Sequence, residues 1–179
     1  MIAYRVGCRG AATGVPFMQD LADRLVNRVH LSTDGHGVYL RAVERAFGWG
    51  EVDYGMLVKV YGQTSEGRRR YSPPECIGAE KMRVMGDPNL EDTCTSHVER
   101  QNLNMRMSMR RFTRLTNAFS KKVEFHEYAV ALHTMYYNFC KPHMTLTKEK
   151  GGIKTTPAKA AGLMDRVWKI EELLPPNFV

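Results

Sequence analysis

Apolar and polar residues alternate over residues 2–7, Ile2-Ala3-Tyr4-Arg5-Val6-Gly7, and the run stops at a glycine, which predicts a short strand. Pro16 stands where a first helical turn tolerates proline. Phe17, Met18, Leu21, Leu25 and Val26 follow at helical spacing, so an amphipathic helix is predicted over 15–27, with Asp20, Asp23 and Arg24 on its exposed face. The β-rich run 28–33 then ends at Asp34-Gly35, a strand closed by an acid. From 36 to 47 the apolar positions Val38, Tyr39, Ala42, Val43 and Phe47 return to a helical period, which Gly48 and Gly50 close. A second strand over 51–61 contains Met56-Leu57-Val58-Lys59-Val60. Strand, helix, strand at this spacing is a βαβ unit, whose strands are parallel because the helix returns the chain to the starting edge. The fold class expected is therefore α/β.

Residues 62–96 show no sustained period and read as one long loop holding Arg68-Arg69-Arg70, Pro73-Pro74, Gly78, Gly86 and Asp87-Pro88. Long helices are predicted over 97–117 and 123–140, and Thr156-Pro157 opens a last short helix with a threonine cap and a first-turn proline. On a helical wheel, Val98, Met105, Met109 and Phe112 form the expected core stripe of 97–117. A second face collects Glu99, Asn102, Arg106, Arg110, Thr113 and Asn117. Tyr136, Tyr137 and Phe139 are expected to pack the last long helix against the sheet, and the tail from 171 is expected to fray.

A chain of 179 residues suits one sizeable core, so one domain is expected. Charge changes the picture more. Lys plus Arg is 26 against 19 Asp plus Glu, a net charge of +7, and the excess is concentrated. Over 97–122 the bases Arg100, Arg106, Arg110, Arg111, Arg114, Lys121 and Lys122 face the single acid Glu99. Such a row either neutralises phosphates or is a solvated helix face. Cys8, Cys76, Cys94 and Cys140 contain no C-x-x-C pair, which excludes the usual zinc-ribbon spacing and points to a reducing setting without a disulfide framework. No run approaches the roughly 18 apolar residues of a membrane helix, and no apolar h-region follows Met1.

Asp34 and Glu99 are the candidate chemistry. Asp34 ends a strand at the sheet edge where α/β proteins build their sites, and a glutamate early in a later helix can reach that edge. Carboxylates gathered there hold Mg²⁺ through hard oxygen ligands and serve phosphodiester chemistry. The plainer readings are an Asp-Gly turn and a favourable helix-dipole partner. His36 and His97 either orient a phosphate or face solvent.

The residues Thr33-Asp34-Gly35-His36, the strand from Val52-Asp53-Tyr54 to Val60-Tyr61-Gly62, Arg70-Tyr71-Ser72-Pro73 and above all Ser96-His97-Val98-Glu99-Arg100-Gln101-Asn102 resemble the DDE transposases grouped with bacterial insertion sequence one. The likeness continues through residues 107–121, Tyr136-Tyr137-Asn138-Phe139-Cys140 with His143, and residues 156–162. It implies a ribonuclease-H-like (DDE integrase-type) mixed sheet flanked by helices, whose three acids bind two Mg²⁺ or Mn²⁺ ions for DNA cleavage and strand transfer. Asp34 looks like the second acid and Glu99 the third. The first belongs to an opening strand that precedes the start of this chain, so residues 1–170 are expected to be an amino-terminally truncated catalytic domain lacking its first strands, with 171–179 a flexible tail. Asp20 and Asp23 on a helix surface and Asp53 at the opposite strand end are not expected to substitute. The resemblance and the charge together assign Arg100, Arg106, Arg110, Arg111, Arg114, Lys121 and Lys122 to DNA. It further implies transposon-end and target DNA as partners, pairing with another copy or with full-length transposase, no membrane, and a nucleoid-associated cytoplasmic location. Little activity is expected from the chain alone. Two alternatives stay open: a non-catalytic DNA-binding or transposase-inhibiting remnant, and a basic protein that binds RNA or ribosomes by charge.

Overall fold

In the computed structural model, residues 1–48, 50–62, 75–113 and 116–174 are described. Arg68-Arg69-Arg70, the Arg70-Tyr71-Ser72-Pro73 motif, Pro73-Pro74, Arg114 and Pro175-Pro176 lie outside them. The chain divides into two compact units, Ile2–Arg100 and Met1 with Gln101–Val179.

The first unit is α/β. In chain order it holds α1 (Ala11–Ala22), β1 (Val29–Asp34), α2 (Val38–Phe47), β2 (Val52–Tyr61) and β3 (Cys76–Met85). The expected βαβ unit is present: β1 and β2 are parallel, with Val29 opposite Val52 and Asp34 opposite Leu57. Side chains alternate between the two faces of a strand. Val52, Tyr54 and Met56 accordingly point to one face, where they are buried with Met18 of α1 and Ala42, Val43 and Phe47 of α2. Burying a side chain of this size contributes about 1.5–3 kcal/mol. Across this core Thr33 and Tyr54 share a buried hydroxyl hydrogen bond of 2.7 Å.

Three sequence expectations change here. Residues 2–7 form no strand and enter no ladder of the β1-β2-β3 sheet. The segment packs instead on the first turn of α1, where a Cβ at Gly7 would lie 2.4 Å from the Thr13 hydroxyl. The helix α1 begins at Ala11 and ends at Ala22, with Pro16 inside it rather than in its first turn. The loop expected over 62–96 contains β3, antiparallel to β2. Its residues from Cys76 to Arg83 are all exposed, so solvent on both faces erased the alternation that marks a half-buried strand.

Gly55 explains the sheet's second face. A Cβ there would sit 2.4 Å from the Thr93 hydroxyl, so Thr93 rests on bare backbone. Thr93 is wholly buried and its hydroxyl donates to the Asn89 carbonyl at 3.0 Å. The same oxygen lies 3.3 Å from His30 Nε2 of β1. Lys81 of β3 adds hydrogen bonds to the carbonyls of Leu90 and Glu91, at 2.6 and 3.0 Å. At the other end of the strands, Gly86 adopts φ +66°, and a Cβ there would lie 2.6 Å from the Val52 carbonyl oxygen.

The helix α3 (Ser96–Ser108) crosses the boundary between the units and is shorter than the expected 97–117. Its expected core stripe is not a core: Val98 is 60% exposed, and the buried residue of α3 is Asn104. After it, Arg110–Phe112 form a 3₁₀ turn. Tertiary contacts override helical period here. Phe112 stacks on His126 at 4.9 Å, and the Arg111 guanidinium donates to Ser120 Oγ and the Phe125 carbonyl, both at 2.8 Å.

The second unit continues with α4 (Val123–Met135), a π-helical turn over Tyr136–Cys140, α5 (Met144–Glu149) and α6 (Pro157–Ala160). The expected cap is in place, Thr156 Oγ1 accepting from the Lys159 N–H at 3.3 Å. Phe139 stacks on Trp168 at 4.9 Å, while Tyr137 and His143 are joined through hydroxyl and Nε2 at 3.1 Å. Asn138 grips Met1, accepting from its ammonium at 2.8 Å and donating to its carbonyl at 2.9 Å. Arg166 and Glu172 form a two-pronged ion pair that, with the Lys169 N–H, lowers the Glu172 carboxyl to about 2. His133 is buried with Nε2 unpartnered among the described residues, and burial, then Lys141, pushes its pKa below the ordinary imidazole value.

Gly55→Ala should lower the urea midpoint of the first unit by an amount worth about 1–3 kcal/mol, and Thr93→Ala in the same chain should recover part of that loss. His133 gives the second unit an acid-sensitive term. The folded state binds this proton less readily than the unfolded state, so the stability it contributes is present above about pH 6.5 and is lost as pH falls below it. Protection factors of the α4 amides, in which the base catalysis of intrinsic exchange is divided out, should therefore fall on going from about pH 7.5 to 5.5, and His133→Leu should flatten that dependence.

Candidate active site

Asp34 closes β1 and is exposed, opposite Leu57 of β2. Paired residues of a parallel ladder share a face, and Lys59 lies two positions beyond Leu57. Asp34, Leu57 and Lys59 therefore occupy the second face of the sheet, the face that carries Thr93. The Asp34 carboxylate accepts from the His36 backbone N–H at 3.2 Å. The ring of His36 is spent locally: Nδ1 accepts from the Val38 N–H at 3.4 Å and Nε2 reaches the Arg9 carbonyl at 3.1 Å. His97, in the first turn of α3, is exposed.

Glu99 comes to the same face by way of Thr93. With residues 89–93 pinned over Gly55 and β3, α3 starts at Ser96 beside the carboxyl end of β2. There Lys59 Nζ lies 2.5 Å from Glu99 Oε1, and the Thr95 hydroxyl donates to the same oxygen at 2.8 Å. The lysine, then the threonine, hold the Glu99 carboxyl below its usual range, and Glu99 in turn raises the Lys59 ammonium. Both expected acids thus stand at one end and on one face of the parallel pair.

A two-metal centre needs more. Among the described residues no group of three His, Cys, Asp or Glu side chains is placed to hold a metal ion. Two other acids weighed from the sequence, Asp53 and Asp20, are engaged elsewhere. Asp53 receives the Arg28 guanidinium on both oxygens and the Asp87 N–H at 2.8 Å, and the arginine foremost keeps its carboxyl far below the ordinary range. Asp20 is paired with Arg24 at 2.8 Å. The donor set on the second face, two carboxylates with one already bound to an ammonium, does not fit a pair of divalent cations.

Lys59, Thr93 and Thr95 were not among the expected site residues. One signal for Lys59 exists in the sequence: it is the single charge within Met56-Leu57-Val58-Lys59-Val60, at a position in phase with Asp53, Gly55 and Leu57. Nothing in the sequence marks Thr93.

The cationic residues divide into two groups. Arg111 gives its Nη1 group to Ser120 and Phe125, while the residue itself is exposed. Arg100, Arg106, Arg110 and Lys121 are exposed, and among the described residues their side chains form no ion pair or hydrogen bond. Lys122 is also exposed, with its ammonium 6.0 Å from the Phe125 ring centre. Because the helix ends at Ser108, Arg110 does not extend an α3 ridge.

Residues 78–139 match the family model described as IS1 transposase. The resemblance read from the sequence is borne out over this stretch, which holds most of β3, all of α3 with Glu99, and α4, and the match supports a transposition-related function. Asp34 lies outside the matched residues. No curated protein and no solved structure matches the chain. No helix among the described residues is long and apolar enough to cross a membrane, and the four cysteines are free thiols.

The two groups of cations should separate in thermal melts. Arg111→Ala should destabilise the second unit by about 1–2 kcal/mol, the scale of hydrogen bonds from a charged donor at a wet site. Arg106→Ala and Arg110→Ala should leave the melt within about 0.5 kcal/mol of the parent.

Proposed function

We propose that this chain is a DNA-transposition protein with a core of the DDE, ribonuclease-H-like kind, which binds DNA and does not cleave it by itself. The observation that carries this reading is the state of the acid pair. Asp34 and Glu99 stand on one sheet face as the transposase resemblance requires, yet no third acid joins them among the described residues and Glu99 is held by Lys59. DDE-type transposases generally use divalent metals, and here the donor set falls short of such a centre. No step of metal-assisted cleavage is therefore assigned to this chain. Losing a metal ligand removes both the positioning and the charge stabilisation that supply most of the catalysis of phosphoryl transfer.

Binding rests on Arg100, Arg106, Arg110, Lys121 and Lys122, which are exposed and whose cationic ends suit phosphate oxygens. Arg111 acts indirectly, holding the 3₁₀ turn that carries Arg110. The partners proposed are transposon-end and target DNA, with a second copy or a complete transposase as protein partner, in the nucleoid-associated cytoplasm. The lack of a third acid beside Asp34 and Glu99 among the described residues favours the non-catalytic DNA-binding form of this reading, including a role in blocking an active transposase.

DNA affinity should fall linearly with salt on logarithmic axes. Arg106→Ala, Arg110→Ala and Lys121→Ala should each lower that slope by about one unit. Purified protein with Mg²⁺ or Mn²⁺ should not nick supercoiled DNA. Nicking that disappears in both Asp34→Asn and Glu99→Gln would establish a complete metal centre and sink this reading. Equal affinity for RNA and for DNA of any sequence would leave the charge-only alternative standing.

A further inference from the structure

We infer that Lys59 is a built-in counter-ion that occupies the place of a divalent cation at Glu99, so that the acid face of the sheet takes up no divalent metal while Lys59 is present. The inference rests on reading Asp34 and Glu99 as a transposase-like acid pair. Four observations support it. The Lys59 ammonium lies against Glu99 Oε1 at 2.5 Å, the distance of a direct contact with no water between. That oxygen also accepts from the Thr95 hydroxyl at 2.8 Å, so a cation approaching it meets two donors already in place. Asp34 shares the face and the strand end, and one of its oxygens is engaged by the His36 N–H. No third acid, histidine or cysteine completes a cluster among the described residues.

The lysine is not a chance surface neighbour in search of an anion. It stands near the carboxyl end of β2, within the apolar run Met56-Leu57-Val58-Lys59-Val60, and Glu99 is delivered to it by a segment fixed at Thr93 over Gly55 and at Lys81. Both backbones are therefore fixed within one reach of each other, one by the sheet and the other by the Thr93 anchor. With Lys59 charged, the formal charge of Asp34, Glu99 and Lys59 together is −1, and without it −2. Affinity of oxygen sites for hard divalent cations follows ligand charge, and a unit charge within a few ångströms changes it by about tenfold or more even at high effective dielectric.

The test is Mn²⁺ binding, followed by the electron paramagnetic resonance signal of the free ion, on the full chain without DNA. The parent should bind Mn²⁺ no more tightly than Glu99→Gln. Lys59→Met should bind about tenfold more tightly than the parent, and Lys59→Met with Glu99→Gln should return to the parent level. Lys59→Gln serves as the milder variant, with folding of each checked by its melting transition. Two results overturn the inference: a folded Lys59 variant with unchanged Mn²⁺ affinity, or parent protein whose Mn²⁺ binding already drops in Glu99→Gln. The second comparison needs no Lys59 variant to fold. Either failure would leave DNA binding itself intact, since that is tested by salt slopes without metal, whereas Mn²⁺ binding through Glu99 in the parent would also count against the non-cleaving part of the reading; loss of DNA binding would leave the Lys59 result untouched.

Discussion

The candidate site depends on one contact, the seating of Thr93 on the bare backbone of Gly55. A strand interior normally gains from a side chain, and glycine there marks a place where another group must come close. The hydroxyl of Thr93 occupies the volume a Cβ would fill, and its hydrogen bond to Asn89 makes burial of that polar group tolerable. From this point the chain has only Cys94 and Thr95 before α3 begins, so the first turn of the helix has little freedom of placement. Glu99 reaches Lys59 because Thr93 cannot be elsewhere. The parallel register of β1 and β2 then puts Asp34 on the same face.

What could be read from the sequence follows from which elements are half-buried. The strands β1 and β2 and the helix α2 each show one face to the shared core, so periods of two and 3.6 survive in their residues, and the βαβ unit was legible with its parallel sense. The strand β3 was not, because eight of its ten residues face solvent and include Glu80, Lys81 and Arg83. An edge strand of this kind is specified by its partner's backbone rather than by its own pattern. The short alternation at 2–7 misled for the opposite reason. It had the pattern and no strand to pair with, and its glycine serves close packing on Thr13.

The acids were legible and their chemistry was not. Asp34 at a strand end and Glu99 in the first turn of a helix are visible as positions, and the family match covers the second of them. The ion pair that decides the state of Glu99 joins residues 40 apart in sequence, through a turn of chain whose placement rests on a buried threonine. The cationic stretch shows the same limit. Its charges are plain in the sequence, yet a helical wheel does not reveal that Arg111 ties the turn to the Phe125 carbonyl or that the helix ends before Arg110.

Two bare carboxylates on an exposed face repel a phosphodiester backbone, and transposase chemistry ordinarily meets that repulsion with divalent cations. In this chain an ammonium from β2 already cancels one of the two charges. The cancellation is local, and mutual contact raises the Lys59 ammonium and lowers the Glu99 carboxyl, which keeps both groups charged at neutral pH. A lysine, however, is a fixed point charge on a side chain, with no coordination sphere through which to orient a water or polarise a phosphoryl oxygen. It can make an acid face compatible with DNA, but it cannot supply what a metal supplies to cleavage, and this separates the capacity to bind DNA from the capacity to cut it.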